Sequence, residues 1–279
     1  MALATLVRLM LWSMERAPWL SRVCAKALDL AVPKLRRVAR RNLEIAGMPD
    51  VTDGVFRSVA RVLAAVAQVP RLNKQNIHDI ISYEGFEHYE EAKRRGKGVL
   101  FATAHLGNWE LSAIAHSLMT EPMHVMVRPL DNPHVDALIE ARRAWTGNNV
   151  IAKKDAVRDI LKALKCNEPV GILIDQNVSL AEGTFIDFFG VPACAGTAFA
   201  RIAFKSGAAV IPGFALWDEA SQKYLLKFYP LVEMTGDAEA DTRAIHKVIE
   251  SVIREYPDQW LWLHRRWKTR PPGQPSLYP

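Results

Sequence analysis

Gly98–Leu111 reads GVLFATAHLGNWEL, and the change of character within it decides the fold. Val99 to Ala104 is a short, nearly continuous apolar run, the pattern of a strand buried on both faces, and polar groups enter only where it ends. Gly107 and Asn108 break the run. Asn108 is placed to cap a helix that runs through Trp109, Glu110 and Leu111 into SAIAHSLM. His105 therefore falls in a turn between strand and helix.

His105 and Glu110 are five residues apart, which on one continuous helix sets them on different faces. A turn at Leu106 to Asn108 brings the carboxylate toward one imidazole nitrogen and leaves the other facing the open strand end. That is the arrangement of a general base: one nitrogen free to take a proton, and a partner that fixes the tautomer and steadies the imidazolium. The expected catalytic pair is thus His105 and Glu110. Each residue is also ordinary by itself, since an acidic residue in a first helical turn simply complements the helix dipole.

Working outward, strands and helices alternate. A helix is expected over Val55 to Val69, stopped by Pro70, then a short strand over Ile77 to Tyr83 and a helix over Phe86 to Arg95. After the central motif come a strand HVMV, helices over 133–145 and 155–165, and a strand over Val170 to Ile174. A helix over Thr197 to Lys205, strands over Ala209 to Leu216 and Tyr224 to Glu233, and a helix over Asp241 to Glu255 complete the order. It predicts a single layered α/β domain with a central, largely parallel mixed sheet flanked by helices. Residues 49–279 are assigned to that domain.

Residues 1–48 are read as an N-terminal amphipathic, basic helical segment that associates with membrane. Arg8, Glu15, Arg16, Arg22 and Lys26 interrupt its apolar residues, so it lacks the stretch of about 20 apolar residues that a spanning helix needs. Lys34, Arg36, Arg37, Arg40 and Arg41 follow it as a basic cluster suited to anionic lipid. The whole chain of 279 residues carries a net charge of +6 and eight tryptophans, which also fits a membrane surface. Nucleic-acid binding has no zinc-finger, helix-turn-helix or RNP pattern to support it. Cys24, Cys166 and Cys194 are three widely spaced thiols without zinc-ligand spacing, as in a reducing compartment, and the body is expected in the cytoplasm.

ATAHLGNWE resembles the His-x4-Glu/Asp signature of glycerolipid-type acyltransferases, and most resembles the late acyltransferases of bacterial lipid A biosynthesis. Three further segments carry the likeness. VRPLDNP, from Val127 to Pro133, resembles the family's Arg-Pro-x-x-Asn-Pro stretch and leaves Arg128 at a strand end, where a guanidinium would hold a phosphate or a phosphopantetheine arm. Asp175 and Gln176 followed by GTFIDFFG at Gly183 to Gly190 resemble its Asp-Gln and Gly-x-Phe-x-x-Phe-Phe-Gly segments. YPDQWLWLHRRWKTRPPG resembles its Trp- and Arg-rich end, which is taken to lie at lipid headgroups, with His264 as a second candidate histidine.

The expected substrate-binding residues are Asn108, Arg128, Asp175, Gln176, Gly183, Phe189 and Thr197, with Phe185, Phe188 and Phe189 as possible walls for an acyl chain and Gly196–Thr197 as an anion-binding turn. The resemblance implies acyl transfer from an acyl carrier protein or CoA thioester to a hydroxyl of a lipid A precursor or related glycolipid. The setting it implies is the cytoplasmic face of the bacterial inner membrane, by peripheral or monotopic attachment. No cofactor or metal is expected. No serine or cysteine nucleophile with a partnered base is evident, so attack is direct, its oxyanion held by amides near Gly107 and Asn108 or by Arg128. Other readings are an acyltransferase of another lipid such as a phosphatidylinositol mannoside, a metal-assisted hydrolase using His105, Glu110 and His116, and a noncatalytic lipid-binding protein of the membrane surface.

Overall fold

The computed structural model describes residues 2–152 and 156–279. The run at Val99–Thr103 is strand β2, and its neighbours fix the sheet. With β1 (Ile81–Glu84), β3 (His124–Val127), β4 (Asn149–Ala152), β5 (Pro169–Leu173), β8 (Ala209–Asp218) and β9 (Lys223–Phe228) it forms a seven-stranded sheet among the described residues, in the order β1-β9-β8-β2-β5-β3-β4. Every pairing is parallel except the β8–β9 hairpin. The sheet is mixed and largely parallel, as the alternation of strands and helices requires.

Alternation along the strands divides the interior in two. Leu100, Ala102, Val170, Ile172, Val210 and Phe214 face a core completed by α8 (Ala156–Lys165), α9 (Ala198–Ser206) and α10 (Ala238–Glu255). Phe101, Ile211, Ala215, Leu226 and Phe228 face the other way, toward α5 (Phe86–Arg94) and α6 (Trp109–Met119). The first residue of the helix expected over 155–165 lies outside the described residues. Two expected elements differ. Ile77–Asp79 is a 3-10 turn, with the strand beginning only at Ile81, and the stretch after Asp175 holds a separate hairpin of β6 (Gly183–Phe188) and β7 (Val191–Gly196). Its two-residue loop, Phe189–Gly190, has φ of 58° and 75°, the left-handed turn that matches strand twist.

The N-terminal helices α1 (Ala2–Arg16), α2 (Leu20–Ala31) and α3 (Pro33–Ile45) pack on the body through α4 (Thr52–Gln68). Leu11 and Met14 are buried against Val66 and Ala67, whereas Leu3, Leu6, Leu9 and Trp12 are exposed. Ala39 and Leu43 of α3 enter the main core, and buried Asn42 donates to the carbonyls of Trp262 and His264. No described helix is long and apolar enough to cross a membrane. The C-terminal tryptophans depart from expectation: Trp260, Trp262 and Trp267 are fully buried rather than displayed to a headgroup layer. Each finds the apolar contacts of the main core, and Arg266 is buried with them, donating to the Cys194 carbonyl.

The turn after β2 is threaded between two other backbones. Gly107 donates to the Gln259 carbonyl at 2.9 Å and Asn108 to the Ala215 carbonyl at 2.8 Å, while Leu261 donates to the His105 carbonyl at 2.8 Å. Gly107 has φ of 64°, and a Cβ there would lie 2.0 Å from the Ala215 carbonyl oxygen. No other residue fits without moving the turn. Gly107→Ala is therefore expected to destabilise the fold by about 3 kcal/mol or more in denaturant unfolding, combining left-handed strain with overpacking. Gly47→Ala has a similar φ of 62° but no heavy atom within 4 Å of the new Cβ, and is expected to cost only about 1 kcal/mol.

Candidate active site

β2 and β5 run parallel in a register that sets Thr103 opposite Leu173. Two residues beyond each strand lie His105 and Asp175, so the two leave the same sheet edge side by side. Asp175 Oδ1 is 2.9 Å from His105 Nδ1, and Oδ2 accepts from the His105 backbone amide at 3.0 Å. Oδ2 also accepts from the Trp260 indole at 2.7 Å. Asp175 is buried and an ionised carboxylate only accepts, so Nδ1 carries the proton and Nε2 is the nitrogen left free in the neutral ring. Near Nε2 lie the Gln176 amide, at 3.5 Å, and the edge of the Trp109 ring, whose centroid is 5.1 Å from that of His105.

In this geometry the carboxylate bonded to the His105 ring is that of Asp175 and not that of the expected partner, Glu110. Glu110 does not orient His105; it is clamped by Arg143, whose Nε and terminal nitrogen donate at 2.9 and 2.6 Å. The reason is local: a forked guanidinium from the end of α7 (Pro133–Arg143) matches both carboxylate oxygens. Asp175, expected to touch substrate, takes the orienting place instead.

Burial by itself disfavours a charged His105, but the Asp175 carboxylate, through its charge and hydrogen bond, outweighs that and raises the imidazole above its ordinary 6.5; Glu110 adds a smaller push upward. Asp175 is held well below the usual carboxylate range, since His105 and the Trp260 hydrogen bond overcome its own desolvation. His264, whose Nε2 accepts from the Asn177 amide at 3.3 Å, is pushed down by burial to about 4 and stays neutral.

The remaining expected residues separate. Asn108 caps α6 by accepting from the Leu111 amide and donates to the Tyr224 hydroxyl; it is buried and fully engaged in the fold. The Gly107 and Asn108 amides are taken by Gln259 and Ala215, so they do not supply an oxyanion hole. Arg128 follows β3 with its side chain 83% exposed and 3.9 Å from the Asp131 carboxylate. Phe188 and Phe189 are core residues packed on Trp260, Trp262 and Trp267. Gly183 serves the hairpin, where a Cβ would lie 2.3 Å from the Ala195 carbonyl oxygen. Thr197 stands at the start of α9 without a side-chain cap bond. His116 is bonded to Tyr83 and Glu110 to Arg143, so His105, Glu110 and His116 are not gathered as metal ligands. Among the described residues no group of three or more His, Cys, Asp or Glu is arranged to hold one.

A narrow cavity, partly open to solvent, runs between the sheet and α6 and reaches Trp109, which packs on the His105 ring. Trp109, Glu110 and Arg143 line it near the histidine. Phe101, Val125, Leu173 and Phe228 are among its apolar walls. A mostly apolar cavity with a histidine close by suits a substrate with a polar head and an alkyl tail. The family of bacterial lipid A biosynthesis acyltransferases matches residues 4–269. The chain belongs to this family. It is similar to a lipid A biosynthesis acyltransferase of Haemophilus influenzae, 29% identical over 82% of this chain and 72% of the relative. It is also similar to the lipid A biosynthesis lauroyltransferase of Escherichia coli, 28% identical over 92% and 82%, and to the palmitoleoyltransferase of the same organism, 28% over 97% and 92%. The protein is an acyltransferase enzyme of a family named for lipid A biosynthesis.

Two site residues had no direct signal. Arg143 ends a polar helix like any other, and Trp260 sits in a run whose composition suits a membrane surface equally well. Asp175 had one, for the apolar runs before it and before His105 end at the same offset. If Asp175 controls His105, an Asp175→Asn variant followed by NMR of the His105 ring should titrate about one pH unit or more below wild type, with Glu110→Gln shifting less.

Proposed function

We propose that this acyltransferase works by direct transfer from a thioester of acyl carrier protein or CoA to a hydroxyl of the lipid A precursor, with His105 as general base and Asp175 as its orienting partner. The observation that carries the reading is the Asp175–His105 bond at 2.9 Å beside the apolar cavity. His105 Nε2 takes the acceptor hydroxyl proton as the oxygen attacks the thioester carbonyl. The tetrahedral oxyanion collapses, the carbon–sulfur bond breaks, and the imidazolium returns its proton to the departing thiolate. Asp175 stabilises the imidazolium between these steps. The Gln176 amide is the polar group placed to reach the oxyanion, and the Glu110–Arg143 pair borders the entrance through which the thioester arrives. An acidic carrier protein suits a chain of net charge +6.

The test is transfer from a labelled acyl carrier thioester to lipid A precursors by the purified protein. His105→Ala and Asp175→Ala are expected to lose roughly a hundredfold or more in kcat, and Arg128→Ala less than about threefold. Wild-type rate should rise with pH to a plateau reached above the ordinary histidine value, because neutral His105 is the working form and its affinity for the proton is raised. Variants as active as wild type would overturn the assignment.

We further propose that the exposed side of α1 and α2 rests on anionic lipid at the cytoplasmic face of the inner membrane. Leu6, Leu9, Trp12 and Trp19 are more than half exposed there, beside the exposed Arg8 and Arg16. Leu6→Asp with Leu9→Asp should reduce cosedimentation with phosphatidylglycerol vesicles at least about fivefold and leave transfer to detergent-dispersed acceptor within about twofold. Unchanged cosedimentation would remove this surface from the account.

A further inference from the structure

Two residues that line the cavity near His105 carry a buried polar atom without a hydrogen-bond partner, Thr103 at the end of β2 and, two turns along α6, His116. His116, on α6, lines the cavity and is buried among the rings of Tyr83, Tyr89, Phe101 and Phe228. Its Nδ1 is 2.9 Å from the Tyr83 hydroxyl, which also lies 2.9 Å from the Thr120 hydroxyl. Its Nε2 is buried and has no hydrogen-bond partner. Burial pushes the ring down to about 4, so it is neutral, and either tautomer leaves Nε2 one hydrogen bond short. A buried, unpartnered polar atom in a largely apolar wall favours a ligand end, or a water, that bonds it and disfavours a hydrocarbon end that cannot.

The depth of the cavity follows from the two elements that wall it. Phe101 precedes His105 by four residues along β2, about 13 Å at 3.3 Å per residue. His116 follows Trp109 by seven residues along α6, about 10 Å at 1.5 Å per residue. Carbon–carbon bonds of about 1.52 Å meeting near 111° advance about 1.25 Å each, so roughly eight to ten fit beyond a carbonyl held at His105. Gly171 and Gly213 line this path and make room for two side chains of its wall: a Cβ on Gly171 would lie 2.8 Å from Met123 Cε, and one on Gly213 2.9 Å from the Phe228 ring.

We propose that His116, held by Tyr83, is the specificity-determining stop of the acyl-chain site: it admits saturated chains of about ten carbons and rejects longer ones, whose apolar end would have to cover Nε2. The inference rests on the acyl-transfer reading and adds to it which chains are taken. It also makes a demand that mere cavity length does not. A chain that reaches the floor carrying a terminal hydroxyl should satisfy Nε2 and be preferred over its methyl-ended counterpart.

The experiment measures transfer from a series of saturated acyl carrier thioesters, eight to sixteen carbons long, together with terminally hydroxylated members at ten and twelve carbons. Wild type and His116→Leu, which keeps bulk and removes the polar atom, are compared. Wild type is expected to favour about ten carbons, to fall about tenfold or more by fourteen, and to prefer the hydroxylated twelve-carbon chain over the plain one about threefold or more. In His116→Leu that preference should reverse and the fourteen-carbon rate should rise about fivefold relative to the ten-carbon rate. The same chains as free fatty acids, read by thermal shift of the folded wild type, give the length and hydroxyl preferences without turnover or any variant. Transfer with a length profile and hydroxyl preference that His116→Leu leaves unchanged overturns the stop and leaves the acyl-transfer reading standing. Absence of transfer from every thioester overturns that reading, and the fatty-acid shifts then decide the stop: a preference for hydroxyl-ended chains keeps it, and none removes it.

Discussion

A carboxylate sealed from water at the edge of the sheet is the constraint on which this structure turns. An ionised group in that position is tolerated only if its oxygens are paired, and Asp175 collects three donors: the His105 ring, the His105 amide and the Trp260 indole. These come from β2's turn and from the C-terminal segment, far apart in the chain. The same segment returns to the turn, where Gln259 accepts from Gly107 and Leu261 donates to His105. Satisfying one charge thus closes the chain's end over the site and buries the tryptophans that accompany it.

The strands and their polar ends were legible because apolar runs and glycine breaks are local signals. What was not legible is adjacency. β3 and β4 intervene in sequence between β2 and β5, yet lie beyond β5 in the sheet, and only that crossover makes His105 and Asp175 neighbours. Glu110 is close to His105 in sequence, so spacing proposes it as partner; the Arg143 fork, supplied by a helix thirty residues on, is invisible to spacing. The Trp- and Arg-rich end misled for a different physical reason. Aromatic and basic residues interleave both at a membrane surface and around a buried segment whose guanidinium, like that of Arg266, finds a carbonyl. Phe189 shows the same limit at the hairpin loop, where a large residue in left-handed backbone gives no sequence cue and is held by Trp262, Trp267 and the Arg254 guanidinium over its ring.

The two faces of the sheet divide the work. Toward α8, α9 and α10 the strands present Leu, Ile, Val and Phe, and that side is filled. Toward α6 they present Gly171 and Gly213 among larger residues, and the missing side chains make room for Met123 and Phe228, which wall the cavity. Small residues in a strand weaken its packing, so their placement opposite α6 is a cost taken where space is needed. Chemistry is confined to the strand ends, and length is measured along the strands; the two requirements do not compete for the same residues.

The mouth of the cavity belongs to a different packing group from its floor. Arg143 ends α7, a helix with no fully buried residue, whose Leu138 and Ile139 rest on the cluster of Leu11, Met14, Val66 and Ala67. The floor is built from Phe101 and Phe228, which lie in the sheet's own core with Tyr89 of α5. Loosely packed elements open at lower free energy than core ones. Local opening is therefore expected to cost less at the Arg143 end than at the end walled by Phe101 and Phe228, and the contacts that hold α7 are shared with the N-terminal helix.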